Sequence, residues 1–280
     1  MEQLLLSPLQ YEFMRHALLS GVFLGILCAV VGSYLIVRQL GMMAHAIAHS
    51  VLPGLAVAFF WGIDLSVGAF IAGVVSAWLV AAIESQSRIK ADTAISLVLS
   101  GFLALGVALM TVLRSKFDLF TFLFGDILSV SGADVVRIAV ITLVILVAVK
   151  FFYKELLFYT FDPLGAKASG LAVNWLYFGF IGVTTITIIV SMQTVGVLLV
   201  LSLLIAPGAI AYLWVKQMHS MMFWGSLLGV TATIIGMYIS YYQNLPSGPA
   251  IVLVITLMFA IAILIRPIYR LVGRHKPPLA

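Results

Sequence analysis

Two histidines lie four residues apart in a stretch that is otherwise apolar. His45 and His49 belong to the segment GMMAHAIAHSVLPG, residues 41–54. Side chains four positions apart lie on one face of a helix, so two imidazoles at this spacing can bind one first-row divalent metal ion. The spacing also fits two neutral histidines that hydrogen-bond to neighbouring helices. The proline that follows them favours the metal interpretation.

Pro53 and Gly54 follow the histidine pair. Proline has no N–H to donate to the carbonyl four residues earlier, which is that of His49. We therefore expect a kink at Pro53, eased by Gly54, with the His49 carbonyl left free beside its imidazole. Irregular backbone inside a membrane is tolerated where it lines a cavity. Pro207 predicts a second kink, either as a gating hinge or as a feature of packing.

The composition requires a membrane environment for these residues. The chain has 280 residues, of which 63% are hydrophobic and 9% are charged, whereas soluble domains are about a quarter charged. Apolar runs of about 20 residues without a period of two predict an all-α polytopic bundle rather than a barrel. We expect eight to ten spans, because the joins near Gly41 and Thr194 are tight. The nine candidates are 15–37, 40–61, 64–83, 93–113, 134–153, 173–192, 194–215, 221–242 and 249–269.

The distribution of lysine and arginine predicts the orientation of the bundle. Most of these residues fall on the inside when the C-terminus is placed in the cytoplasm, as the positive-inside rule requires. The net charge of +5 then reflects contact with lipid headgroups rather than nucleic-acid binding. No loop is long enough for a soluble domain, so residues 1–280 are predicted to form one transmembrane domain.

The longest loop, residues 117–131, is itself apolar and is predicted to be an extracytoplasmic re-entrant loop. Asp126 lies within it, either in an outer vestibule or as the N-cap of the following turn. The chain contains no GxxxxGK[ST] pattern, so any ATP must be hydrolysed by a partner. Cys28 is the only cysteine, which excludes an internal disulfide.

Several short motifs occur in a fixed order along the chain. Residues 44–54 are similar to Gly-Asp-Ala-x-Ser/Ala-His-Ala/Ser-x-Leu-Pro-Gly of one transporter family. The others are DTAI (92–95), FGDIL (124–128), FDP (161–163), GVLLV (196–200), AP (206–207) and LPSGP (245–249). Together they resemble the membrane-spanning subunit of bacterial ABC importers for manganese, zinc and iron. The resemblance covers nearly the whole chain.

The resemblance implies a dimeric permease of the bacterial cytoplasmic membrane with no catalytic residues and no permanently bound cofactor. A soluble extracytoplasmic metal-binding protein would deliver the ion, and two cytoplasmic ATPase subunits would drive the cycle. The segment 158–171 would couple the permease to the ATPase, although a plain connecting loop is the alternative. The residues expected to form this coupling segment are Asp162, Pro163, Gly165, Ala166 and Gly170.

In this family, an Asp and a His of the second helix are the proposed metal contacts. His49 occupies the His position, but His45 occupies the Asp position. Carboxylates suit Mn²⁺, whereas imidazole suits zinc and iron better. The LPG and FGDIL motifs nevertheless resemble the manganese/iron branch, so we predict manganese as the cargo, with zinc and iron open. Whether His45 acts as a ligand or as a gate also stays open.

Two other functions are compatible with a histidine pair in a membrane. An intramembrane metalloprotease would need the glutamate of H-E-x-x-H as a general base, and residues 46–48 contain no acidic side chain. A stand-alone secondary transporter or channel for divalent cations fits the composition equally well. It differs from an ABC permease in working without an ATPase.

Overall fold

The computed structural model describes residues 7–113, 125 and 127–273, and this part of the chain is helical without strands. Within it, nine segments are long and apolar enough to cross a membrane. They agree with the nine predicted spans to within three residues at each end, which confirms the all-α polytopic fold. The helices are α1 (Glu12–Val37), α2 (Gly41–Ser50), α3 (Leu52–Trp61), α4 (Leu65–Gln86), α5 (Ala91–Val112), α6 (Gly132–Phe151), α7 (Tyr153–Phe161), α8 (Pro163–Ala168), α9 (Val173–Val195), α10 (Val197–Trp214), α11 (Met218–Gln243) and α12 (Ser247–Gly273).

Helix α1 is the centre of the bundle and packs against α6, α9, α10 and α11. Glycines let its backbone approach two of these neighbours closely. A Cβ at Gly32 would collide with the carbonyl oxygen of Leu204 in α10, and a Cβ at Gly25 would lie 3.0 Å from the backbone of Gly229 in α11. Small residues serve this purpose in membranes, where helices associate by close packing.

Helices α2, α3, α4 and α5 form a second group, and α9 connects it to α1 and α10. The predicted tight join near Thr194 is the corner between α9 and α10. Gly196 forms it with a φ of +79°, a backbone conformation that favours glycine. We call the end of the bundle where α1 ends the inner end, and the opposite end the outer end. The cytoplasmic location of the inner end and of the C-terminus stays a prediction.

The span Gly41–Trp61 is interrupted at Val51, which separates α2 from α3. Pro53 lies in the first turn of α3, where the missing N–H would have no helical partner in any case. The interruption therefore falls two residues before the proline. The carbonyl of His49, which we expected to be free, accepts the backbone N–H of Val51.

Gly54 has a role in packing that its position beside Pro53 did not predict. A Cβ at Gly54 would collide with the carbonyl oxygen of Gly68 in α4, and a Cβ at Gly68 would collide with the carbonyl oxygen of Gly54. The two backbones are thus in direct contact where α3 crosses α4. At Pro207, by contrast, α10 continues as a helix on both sides of the proline.

The segment predicted to couple to an ATPase consists of the end of α7 and the short helix α8 at the inner end. Asp162 caps α8, because its Oδ1 accepts the backbone N–H of Gly165 at 2.8 Å. Pro163 occupies the first turn of α8, Ala166 is buried, and Gly170 follows the helix with a φ of +86°. A short helix, rather than an irregular loop, therefore connects α7 to α9.

Most of the predicted re-entrant loop 117–131, including Asp126, lies outside the described residues. Of the rest, Ile127–Ser129 forms a single 3-10 turn. Ser131 then caps α6 in a reciprocal arrangement with Asp134, whose side chain accepts the Ser131 backbone N–H at 3.1 Å. The re-entrant path and the vestibule role of Asp126 both stay predictions.

The crossing of α3 and α4 predicts opposite effects for two glycine substitutions. In Gly54→Ala, the new Cβ would lie 2.7 Å from the Cβ of Ala72 as well as against Gly68. We expect it to lower the free energy of unfolding by about 1–3 kcal/mol, as overpacking does. In Gly101→Ala on α5, the Cβ would contact nothing within 4 Å, and alanine should be neutral or stabilising. Thermal unfolding of both variants in detergent tests this, and equal midpoints would contradict it.

Candidate functional site

A tight turn between α1 and α2 determines where the histidine pair lies. Gln39 adopts a φ of +58°, and the backbone N–H of Leu40 donates to the carbonyl of Leu35 at 2.7 Å. This pattern ends α1 in the manner of a Schellman motif. The chain reverses within three residues, and α2 enters the bundle from the inner end.

The structure brings His45 and His49 together on one face of α2. Their ring centroids are 5.0 Å apart, and their planes are inclined by 51°. Both side chains are half-buried, and with the exposed Met42 they form the only face of α2 that is not buried. Metal–imidazole bonds are about 2.0–2.1 Å long, so the two rings are close enough to hold one ion between them.

A single copy of the chain supplies few ligands for a metal. Across residues 7–113, 125 and 127–273, no group of three or more His, Cys, Asp or Glu side chains is arranged to hold an ion. Within this part of the chain, the histidine pair could therefore offer an ion at most two protein ligands. The other coordination positions of such an ion would be left for water or for ligands from a second molecule.

Helix α10 lies next to the start of α2. A Cβ at Gly41 would be 3.9 Å from the Cδ1 of Ile205, and Ile205 precedes Pro207 by two positions in the same helix. The structure thus places the histidine-bearing helix beside the proline-containing helix. The predicted coupling residues Asp162–Gly170 lie elsewhere, in and around α8.

A contact that the sequence does not predict connects these two regions. Arg38, in the turn between α1 and α2, lies over the ring of Tyr159, with its Cζ 4.1 Å from the ring centroid. Its Nη1 also donates to the carbonyl of Tyr159 at 3.5 Å. Tyr159 belongs to α7 and is 3% exposed. Burial raises the pKa of the Tyr159 phenol, which the nearby guanidinium partly offsets, so the ring stays neutral and favours a cation–π contact.

The sequence match decides the family. The model of the ABC 3 transport family matches residues 10–266. The chain belongs to the ABC 3 transport family. The nine candidate spans in its described residues and this membership make it a multi-pass protein of the bacterial cytoplasmic membrane. The predicted resemblance to permeases of metal ABC importers is therefore confirmed.

Named relatives of this ABC 3 chain include a manganese transport protein and a probable iron transport protein. The chain is 40% identical over 259 residues to the manganese transport system membrane protein MntC of Listeria monocytogenes, and the match covers 92% of each chain. It is 37% identical over 259 residues to a probable iron transport system membrane protein of Haemophilus influenzae, covering 92% of this chain and 96% of the relative.

A solved structure is also similar over almost the whole chain. It is PsaBC from Streptococcus pneumoniae in complex with Fab, with a TM-score of 0.85 and 38% sequence identity. The match covers 94% of this chain and 95% of the solved chain.

A polar cluster joins three helices of this ABC 3 chain at the outer end. The hydroxyl of Ser66 in α4 accepts the Arg137 Nη2 of α6 at 3.0 Å and the Gln193 Nε2 of α9 at 2.8 Å. Asp64 caps α4 by accepting the Ser66 backbone N–H at 2.7 Å. Hydrogen bonding from the Ser66 side chain and from its backbone N–H, assisted by the charge of Arg137, lowers the pKa of Asp64. The cluster orders the outer ends of α4, α6 and α9.

Proposed function

We propose that the chain is the permease subunit of an ATP-driven importer of a divalent transition metal, with manganese as the cargo and iron or zinc as alternatives. The observation that carries this proposal is the His45–His49 pair, half-buried on one face of a membrane-spanning helix in an ABC 3 chain. The names of the manganese and iron relatives support the choice of cargo.

In the proposed cycle, the ion passes between two copies of the permease. Closed two-fold symmetry places the same face of both copies at one axis, so two histidine pairs can meet an ion that is bound by only two side chains in each copy. Imidazole binds as a neutral ligand, unlike a carboxylate. A site built with His45 therefore holds a cation with less charge compensation than one with an aspartate, which favours release.

The proposed ATPase subunits are separate proteins that bind the inner end. Helix α8 and the residue before Asp162 present large apolar side chains there: Leu164 is 81% exposed, and Phe161 is also exposed. Apolar side chains on a short capped helix are suited to a groove in a partner, because burying them releases water. A soluble metal-binding protein is the proposed partner at the outer end.

The Arg38–Tyr159 contact is the proposed route by which ATPase movements reach the metal path. A displacement of α8 moves α7, to which it is joined through Asp162 alone. Through its contact with Tyr159 in α7, Arg38 is then displaced as well. Helix α2 begins three residues after Arg38. Because α2 carries both histidines, a shift of this turn changes their position relative to the second copy.

Removal of one imidazole tests the metal path. We expect His49→Ala to lower ATP-dependent manganese uptake at least about tenfold, since loss of a ligand should cost no less than loss of a ligand's supporting partner. We expect His45→Asp to raise the ratio of manganese to zinc uptake, because carboxylate oxygen suits Mn²⁺. The measurement is ion uptake by vesicles that contain the permease, its ATPase and its binding protein.

His219→Ala is the matched control for this experiment, because His219 is exposed in the first turn of α11 and should transport like wild type. Vesicles without the ATPase provide the background, and full uptake there would identify a secondary transporter instead. Wild-type uptake by both His49→Ala and His45→Asp, with intact assembly, would show that the pair has only a packing role.

The exposed leucine of α8 tests the docking surface. We expect Leu164→Glu to weaken binding of the ATPase about tenfold or more, since full burial of a leucine is worth about 1.5–3 kcal/mol. Leu164→Met keeps the apolar volume and should bind like wild type. Titration of the ATPase onto the permease in nanodiscs measures both affinities. Equal affinities for the Glu and Met variants would place the ATPase elsewhere.

The contact between Arg38 and Tyr159 tests the coupling route. We expect Tyr159→Leu to lower the number of ions transported per ATP hydrolysed by roughly threefold or more, in line with a cation–π contact of about 0.5–2 kcal/mol. Tyr159→Phe keeps the ring face and should retain coupling. The measurement is the ratio of uptake to ATP hydrolysis in the same vesicles. An unchanged ratio in Tyr159→Leu would exclude this route.

A further inference from the structure

A cavity of about 480 Å³ lies at the inner end of the bundle, between α1, α6, α7 and α9. Its walls are apolar side chains, among them Val31 of α1, Val149 of α6, Leu156 of α7, and Leu176 and Phe180 of α9. None of these residues belongs to the histidine pair or to α8. The cavity is therefore separate from the proposed transport path.

Two polar atoms in this apolar cavity have no partner. The hydroxyl of Tyr34 and the Oε2 of Glu155 are both buried, and neither makes a hydrogen bond with any described residue. Tyr34 is 1% exposed, and edge-to-face packing against Phe180, with ring centroids 6.1 Å apart, holds its ring in place. Buried polar groups are normally paired, so these atoms indicate a ligand that offers hydrogen-bond donors.

The depth of the cavity matches one leaflet of a bilayer. The lining extends from Ala172, the N-cap of α9, to Val183 within that helix. Eleven residues of helix rise about 16 Å, half of a hydrocarbon core of about 30 Å. Trp175 lines the cavity and is 80% exposed, as expected for an aromatic side chain at headgroup level. Lys150 and Lys154 are exposed and lie next to the lining residues Val149 and Glu155 in the sequence.

We propose that this cavity binds a phospholipid whose headgroup carries a primary ammonium. One acyl chain lies along the apolar walls, and the ammonium donates hydrogen bonds to Glu155 and Tyr34. A primary ammonium has three donors and a charge opposite to that of the carboxylate, so it satisfies both atoms at once. A trimethylated choline headgroup carries the charge without donors, and a glycerol headgroup offers donors without the charge.

Native mass spectrometry of the full-length permease tests this proposal. The purified protein is mixed with phosphatidylethanolamine, phosphatidylcholine or phosphatidylglycerol of identical acyl chains, and retained lipid is counted. We expect phosphatidylethanolamine to bind about tenfold more tightly than phosphatidylcholine, as the loss of charge-assisted hydrogen bonds implies. Glu155→Gln should abolish this preference. Glu84→Gln, at an exposed glutamate of α4, should keep it.

Two glycines of α9 provide a second test that does not alter the polar atoms. A Cβ at Gly179 or at Gly182 would contact nothing within 4 Å, but only Gly179 lines the cavity. Gly179→Leu should therefore place a side chain in the cavity from a position with room for its Cβ. We expect it to lower lipid retention about tenfold, while Gly182→Leu retains the lipid. Comparison of Gly179→Leu with Gly182→Leu tests whether lipid binds in the cavity even if Glu155→Gln fails to fold.

Several results would overturn the proposal. Equal retention of phosphatidylethanolamine and phosphatidylcholine would exclude recognition of the ammonium. Equal retention by Gly179→Leu and Gly182→Leu would exclude the cavity as the binding place. Loss of the bound lipid when the ATPase is added would show that the cavity belongs to the interface with that partner instead.

Discussion

The close contact of α1 with its neighbours is the constraint on which the rest of the structure depends. In a bilayer, apolar surface gains little by moving from lipid to protein, so helices associate through tight packing and polar contacts. Gly25 and Gly32 allow the backbone of α1 to touch α11 and α10. Any larger residue there would separate these helices. The position of α1 in turn determines where Arg38 and the start of α2 lie.

The second group of helices, α2 to α5, has a different role. It holds two imidazoles within the membrane without enclosing them. Helix α2 packs against α4, α5 and α9, and the face with His45 and His49 is left half-buried. The interruption at Val51 makes the span two short helices rather than one. The contact of Gly54 with Gly68 then fixes α3 against α4, so the interruption has a defined geometry.

The number and bounds of the spans could be predicted from sequence because bilayer thickness determines how many apolar residues a helix needs. The shared face of His45 and His49 could also be predicted, since it follows from helical periodicity alone. The Arg38–Tyr159 contact could not, because it joins residues 121 positions apart. The contact of Gly54 with Gly68 and the cavity at Tyr34 and Glu155 likewise depend on how helices pack, which periodicity does not specify.

The geometry of the histidine pair also limits how the proposed transport cycle can change metal affinity. The two rings of one copy are on a single helical turn with centroids 5.0 Å apart, and a helix of this kind moves as a rigid element. The separation between the backbone positions of one pair therefore stays nearly constant through the proposed cycle. In the proposed dimer, affinity must change through the distance between the two pairs, which depends on the position of each α2. In the proposed coupling route, the turn at Arg38, which contacts Tyr159, is the place in each copy where movement of the inner-end helices reaches that position.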